Sequence, residues 1–168
     1  MTSISQMNRD DFVATFRGVY EHSDWIAELV WDGGLTKAED TATGLQAAMA
    51  DVVSAAGYEP QLSLLRAHPD LAGKLAVRGD LTDESTSEQK SAGLDRCSTE
   101  EFDELQALNT RYRSTFNFPY ILAVKGRNVS EILENFRSRV NNDVEIEFQE
   151  ALNQVHQIAL LRLETLFA

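Results

Sequence analysis

From one end of the chain to the other, apolar side chains recur every three or four positions, the spacing that lines one face of a helix. Phe12, Phe16, Val19 and Tyr20 form one stripe, and Trp25, Ile26, Leu29 and Val30 a second that stops at Gly33-Gly34. Leu45, Ala48, Met49, Val52, Val53 and Ala56 form a third, with Gly57 placed as a left-handed C-cap. Ser98 stands three residues before Glu101 in a capping-box register and opens a stripe of Phe102, Leu105, Leu108, Tyr112 and Phe116. Val129, Ile132, Leu133, Phe136 and Val140 make another, and Val144, Phe148, Ala151, Leu152, Val155 and Ala159 a long last one. Tyr120–Val124 is the one strand-like run, and with no second strand to pair with it reads as a buried extended segment or a helical turn. The pattern predicts an all-α fold: a single domain over residues 1–168, an irregular bundle of about seven or eight helices, without repeats or linkers.

Composition narrows the function. With 15 Lys and Arg against 27 Asp and Glu the chain carries −12, which opposes polyanions and argues against nucleic acid or an anionic membrane as the main partner. The apolar stretch from Ile158 to Leu166 is broken by Arg162 and Glu164, too short for a membrane span. A single cysteine, Cys97, and an amino terminus with neither basic flank nor apolar run point to a reducing compartment and no secretion. His22, His68 and His156 are too scattered to make a metal site with the available acids, and no phosphate-cradling glycine motif occurs, so neither metal nor nucleotide cofactor is expected.

Three places break the apolar pattern. Arg66-Ala67-His68-Pro69-Asp70-Leu71-Ala72-Gly73-Lys74 is a polar junction. Proline disfavours the α conformation of the residue before it, so His68 is expected to be extended at a helix mouth, with Pro69 starting a new helical turn. On that reading His68 is either an N-cap or a presented acid–base group. Ser85-Thr86-Ser87-Glu88 repeats the capping-box spacing, so Glu88 either serves the first donors of a helix or is a well-oriented carboxylate. Arg162 projects from the apolar stripe of the last helix and must meet an anion, in an internal salt bridge or as a fork for a ligand carboxylate or urea group. The aromatic cluster Tyr112, Phe116, Phe118 and Tyr120 is core and pocket wall rather than a stacking platform at this net charge.

Taken in order, His68-Pro69-Asp70-Leu71, then Ser85-x-x-Glu88-Gln89 with Ala92-Gly93-Leu94, then Phe116-x-Phe118-Pro119-Tyr120-Ile121-Leu122-Ala123-Val124-x-Gly126, and Arg162 in Ile-Ala-Leu-Leu-Arg-Leu, the chain resembles the 2-oxo-4-hydroxy-4-carboxy-5-ureidoimidazoline (OHCU) decarboxylase family over essentially its whole length. The resemblance implies a cofactor-free, helical, homodimeric lyase that converts OHCU to (S)-allantoin at the end of urate degradation. It implies His68 and Glu88 as catalytic residues and Arg162 as a substrate-binding one. Pro69, Ser85, Gln89, Phe118, Pro119, Tyr120, Ile121, Leu122 and Ala123 would line the site, partly through backbone groups. Some members are peroxisomal, but Leu166-Phe167-Ala168 is no peroxisomal signal, and a cytoplasmic enzyme is expected.

The chemistry suits these residue types. Loss of CO₂ leaves an electron pair that the substrate's own ring imine and carbonyl delocalise, so the protein need only hold the carboxylate and place a proton. An imidazole is suited to that transfer near neutral pH. The competing reading is a non-catalytic helical module that binds an anionic ureido metabolite; it would use Arg162 but has no need of the His68 and Glu88 pair.

Overall fold

The computed structural model describes residues 3–72 and 81–168. Its regular elements are α1 (Arg9–Phe16), α2 (Trp25–Asp32), α3 (Ala42–Ala56), α4 (Tyr58–Arg66), α5 (Asp83–Ser91), α6 (Thr99–Phe116), α7 (Val129–Arg139) and α8 (Val144–Phe167), with three short 3₁₀ turns. Among the described residues there is no strand, so the fold is all-α as the periodicity requires. The Gly73-Lys74 end of the histidine segment lies outside the described residues.

Local chemistry sets the boundaries. Asn8, Thr41 and Thr82 accept backbone N–H groups of the first turns of α1, α3 and α5, while Ser98 with Glu101 and Asn128 with Glu131 form full capping boxes on α6 and α7. Gly34 at φ +91° turns the chain out of α2. Gly57 has the positive φ expected after α3, but its ψ of 178° is extended rather than left-handed helical, and α4 starts at the next residue.

The chain gathers into two compact units, residues 1–67 with 155–168, and residues 68–154. In the first, α1 packs on α2, α2 on α3 and α3 on α4 around Phe12, Phe16, Ile26, Leu45, Met49, Leu64 and Leu65. Each such side chain contributes about 1.5–3 kcal/mol by leaving water. The first stripe is shorter than expected. α1 ends at Phe16, and Val19 and Tyr20 reach the core from the following loop, where the Tyr20 hydroxyl hydrogen-bonds His156 Nδ1 at 2.8 Å. Leu29 and Val144, counted in apolar stripes, are 48% and 55% exposed.

In the second unit α6 and α7 pack around an aromatic core. Tyr120 stacks on Phe136 with centroids 3.7 Å apart, and Tyr112 sets its edge against Phe118, Tyr120 and Phe136. The segment Phe118–Val124 is buried throughout and is neither strand nor helix. Side chains replace the missing ladder: Arg139 Nη1 donates to Ile121 O at 2.6 Å, and the Ala123 N–H donates to Gln154 Oε1 at 3.0 Å. Arg139 is itself anchored by Glu147, which also accepts the Tyr112 hydroxyl at 2.6 Å. Burial opposes the Arg139 charge, but the hydrogen bond and charge of Glu147 outweigh it and hold the guanidinium pKa above its ordinary value.

Candidate active site

His68 is 6% exposed and lies in a bend just after α4. It does not precede a helical turn starting at Pro69, as the proline suggests, because Pro69 and Asp70 are irregular and Leu71 and Ala72 form a turn. The proline still acts on its neighbour: its ring fixes its own φ and restricts His68, so the two residues move together with the turn at Leu71 and Ala72.

That turn is firmly held. Ala72 has a left-handed φ of +50°, a conformation that costs a residue with a Cβ about 1–2 kcal/mol. Surrounding hydrogen bonds impose it. The Ala72 N–H donates to Gln89 Oε1 at 3.0 Å, and Gln89 Nε2 donates to Asp70 O at 3.4 Å. From α6, Gln106 Nε2 donates to Ala72 O at 2.7 Å, Asn109 Nδ2 to Leu71 O at 3.0 Å, and Arg113 Nε to the Asp70 carboxylate at 3.0 Å.

Glu88 is half-buried in the second turn of α5. The capping-box reading of Ser85 and Glu88 does not hold. The N-cap is Thr82, whose side chain accepts the Ser85 N–H at 3.2 Å, so Glu88 is not a capping residue and Ser85 lies inside the helix. Ser85 and Gln89, four residues apart, are both buried on one face of α5. Gln89, expected among the substrate contacts, spends both ends of its amide on the loop after His68. That bridge ties the helix of Glu88 to the segment of His68.

Arg162 is 8% exposed, and its Nη1 donates to Glu21 Oε2 at 2.8 Å, to Gly18 O at 3.3 Å and to Val19 O at 3.4 Å. Glu21 is 2% exposed, so this is a buried ion pair. A guanidinium has five N–H donors, and Glu21 with the two carbonyls anchors it at Nη1.

The third motif, Phe118, Pro119, Tyr120, Ile121, Leu122 and Ala123, forms the irregular buried wall of the second unit, placed by Arg139 and Gln154. A cavity of about 470 Å³ lies between α5 and the start of α6, lined by Ala72 of the pinned loop and by Thr86, Lys90, Leu94, Cys97 and Phe102 among others. Gln89 reaches it, but neither His68 nor Glu88 is on its lining. Burial raises the Cys97 thiol pKa, which suits a structural cysteine. Among the described residues no group of three or more His, Cys, Asp or Glu could hold a metal ion.

Glu21, Gln106, Asn109, Arg113, Arg139 and Gln154 escape a reading of the sequence alone. A signal is present for some of them: Asn109 interrupts the apolar face between Leu105, Leu108 and Tyr112, and a polar residue there needs a partner inside the protein.

Fold and residues together define an all-α protein that presents a histidine on a pinned loop and a carboxylate on the helix tied to it, the equipment of acid–base chemistry. The chain belongs to the OHCU decarboxylase family, whose model matches residues 5–164. A 2-oxo-4-hydroxy-4-carboxy-5-ureidoimidazoline decarboxylase of Halalkalicoccus jeotgali is 44% identical over 163 residues, 97% of this chain and 89% of that protein. One of Haloferax volcanii is 39% identical over 168 residues, 100% of this chain and 96% of that protein. The solved structure of an (S)-allantoin synthase matches with a TM-score of 0.76 at 32% identity; the match covers 97% of this chain and 52% of that one, so the present chain spans about half its length. An OHCU decarboxylase crystallised in the presence of (S)-allantoin, at 23% identity, shares the fold with a TM-score of 0.71 over 91% of this chain and 97% of that one.

Proposed function

We propose that this chain, as one catalytic domain, decarboxylates OHCU stereospecifically to (S)-allantoin, the closing step of urate breakdown. The observation that supports the reading is the Gln89 bridge, which joins the segment after His68 to the helix that bears Glu88. His68 delivers a proton to one face of the ureido-bearing ring carbon, to which the electron pair left by CO₂ is passed through the adjacent imine, while the hydroxyl-bearing carbon that lost CO₂ gives up its O–H proton and becomes the ring carbonyl. Glu88 fixes the imidazole tautomer or grips the ureido N–H groups. Arg162 offers its planar fork to the substrate's oxygens. Pro69, Ser85 and the wall from Phe118 to Ala123 line the substrate, with Gln89 behind the loop. No cofactor is required, because the electron pair left behind by CO₂ is delocalised by the substrate's own ring imine and carbonyl. A homodimer in the cytoplasm completes the reading.

A module that only binds an anionic metabolite would leave the freshly generated substrate to decay at its own pace. Rate measurements on wild type, His68→Asn and Glu88→Gln separate the two. The enzyme reading expects acceleration by wild type and a loss of about 10²-fold or more in kcat for each variant, the usual contribution of a positioned acid–base group. Equal rates with and without protein would refute it.

A further inference from the structure

The loop after His68 is bound in a regular way by one helix face. Gln106, Asn109 and Arg113 stand at i, i+3 and i+7 on α6, the spacing of a single stripe. They bond successive residues in reverse order: Ala72 O, Leu71 O and the Asp70 carboxylate. Two features mark this ladder as more than surface decoration. Asn109 is 5% exposed and sits on the apolar side of α6, where a leucine would otherwise pack. The residue at the end of the ladder, Ala72, is held in a left-handed conformation that its own side chain disfavours, so the bonds determine the loop's shape.

We infer that Asn109, flanked by Gln106 and Arg113, is a positioning residue for the catalytic histidine. It fixes Leu71 and with it, through the stiff Pro69, the placement of the His68 ring. The inference rests on the reading of His68 as an acid–base group. Asn109 touches neither substrate nor proton; its work is done through the loop. A histidine displaced by a fraction of an ångström transfers its proton poorly while the substrate still binds, so the loss falls on kcat and not on KM.

The experiment compares steady-state constants for Asn109→Leu and Gln106→Met, each in the wild-type and the His68→Asn background, together with their thermal midpoints. Gln106 is half-buried, so its variant folds even if the buried Asn109→Leu does not. In the wild-type background each is expected to lower kcat about tenfold or more with KM little changed, and Gln106→Lys, which restores a donor toward Ala72 O, to recover most of it. In the His68→Asn background neither should lower kcat further, since there is no imidazole left to place. If the same fall appears on top of His68→Asn, or if folded variants keep wild-type kcat, the positioning role is overturned. If His68→Asn alone leaves kcat unchanged, it is the underlying reading of His68 that fails.

Discussion

Arg162 and Glu21 are each almost fully buried, and neither charge is tolerable there without the other. Removing one member of such a pair costs about 3–5 kcal/mol, so truncation of Arg162 would confuse lost folding with lost binding. Arg162→Lys separates them, because an ammonium still serves Glu21 but cannot form a planar fork. The thermal midpoint should fall only slightly while KM rises about tenfold or more, the equivalent of roughly 1.4 kcal/mol of binding; an unchanged KM would give Arg162 a structural role alone. His156 makes a second residue-scale test. Its Nδ1 meets the Tyr20 hydroxyl, and burial lowers its pKa below the ordinary value. The folded state therefore takes up the imidazole proton less readily than the unfolded chain, and this contribution to stability is present above about pH 6.5 and lost as pH falls. His156→Gln, which still accepts a hydrogen bond but does not titrate, should lose less in thermal midpoint between pH 7 and pH 5 than wild type does. Parallel losses would contradict this.

At the scale of elements, the helices with a clear apolar stripe are legible, because burial of one face and the caps at each end are both written in the residue order. Two of the described helices have little stripe to read, and of them the sequence signals only a start, misplaced at Ser85, for α5. α4 spends its first turn on Glu59, Pro60 and Gln61, and α5 (Asp83–Ser91) contains no strongly apolar residue. The candidate site is legible as residue types and not as relations between them. Glu88 looks like a capping residue because Ser85 precedes it at the right distance, whereas Thr82 takes that role one turn earlier. The partners of Arg162 and of the wall Phe118–Ala123 are set by tertiary folding, which pairs residues far apart in sequence, and local spacing carries no trace of that. The pair Arg139 and Glu147 gives this scale its prediction. Glu147→Gln leaves the buried guanidinium without its counter-charge and should cost about 3–5 kcal/mol in denaturant unfolding. A cost below about 1 kcal/mol would mean that the wall is held by aromatic packing alone.

The whole molecule, as proposed, is an enzyme that needs only its own side chains. Exhaustive chelation with EDTA should leave activity intact, and a loss restored by a divalent ion would reveal a site formed outside the described residues. No helix among the described residues is long and apolar enough to cross a membrane. Everything in the proposed mechanism turns on delivery of a proton to one face of the substrate. OHCU left to itself decays to racemic allantoin, so handedness reports on the protein directly. The deciding measurement follows circular dichroism after this protein is added to freshly generated OHCU. A growing signal of (S)-allantoin, at a rate above that of spontaneous decay, is the expected result. A racemic product formed at the spontaneous rate would contradict it.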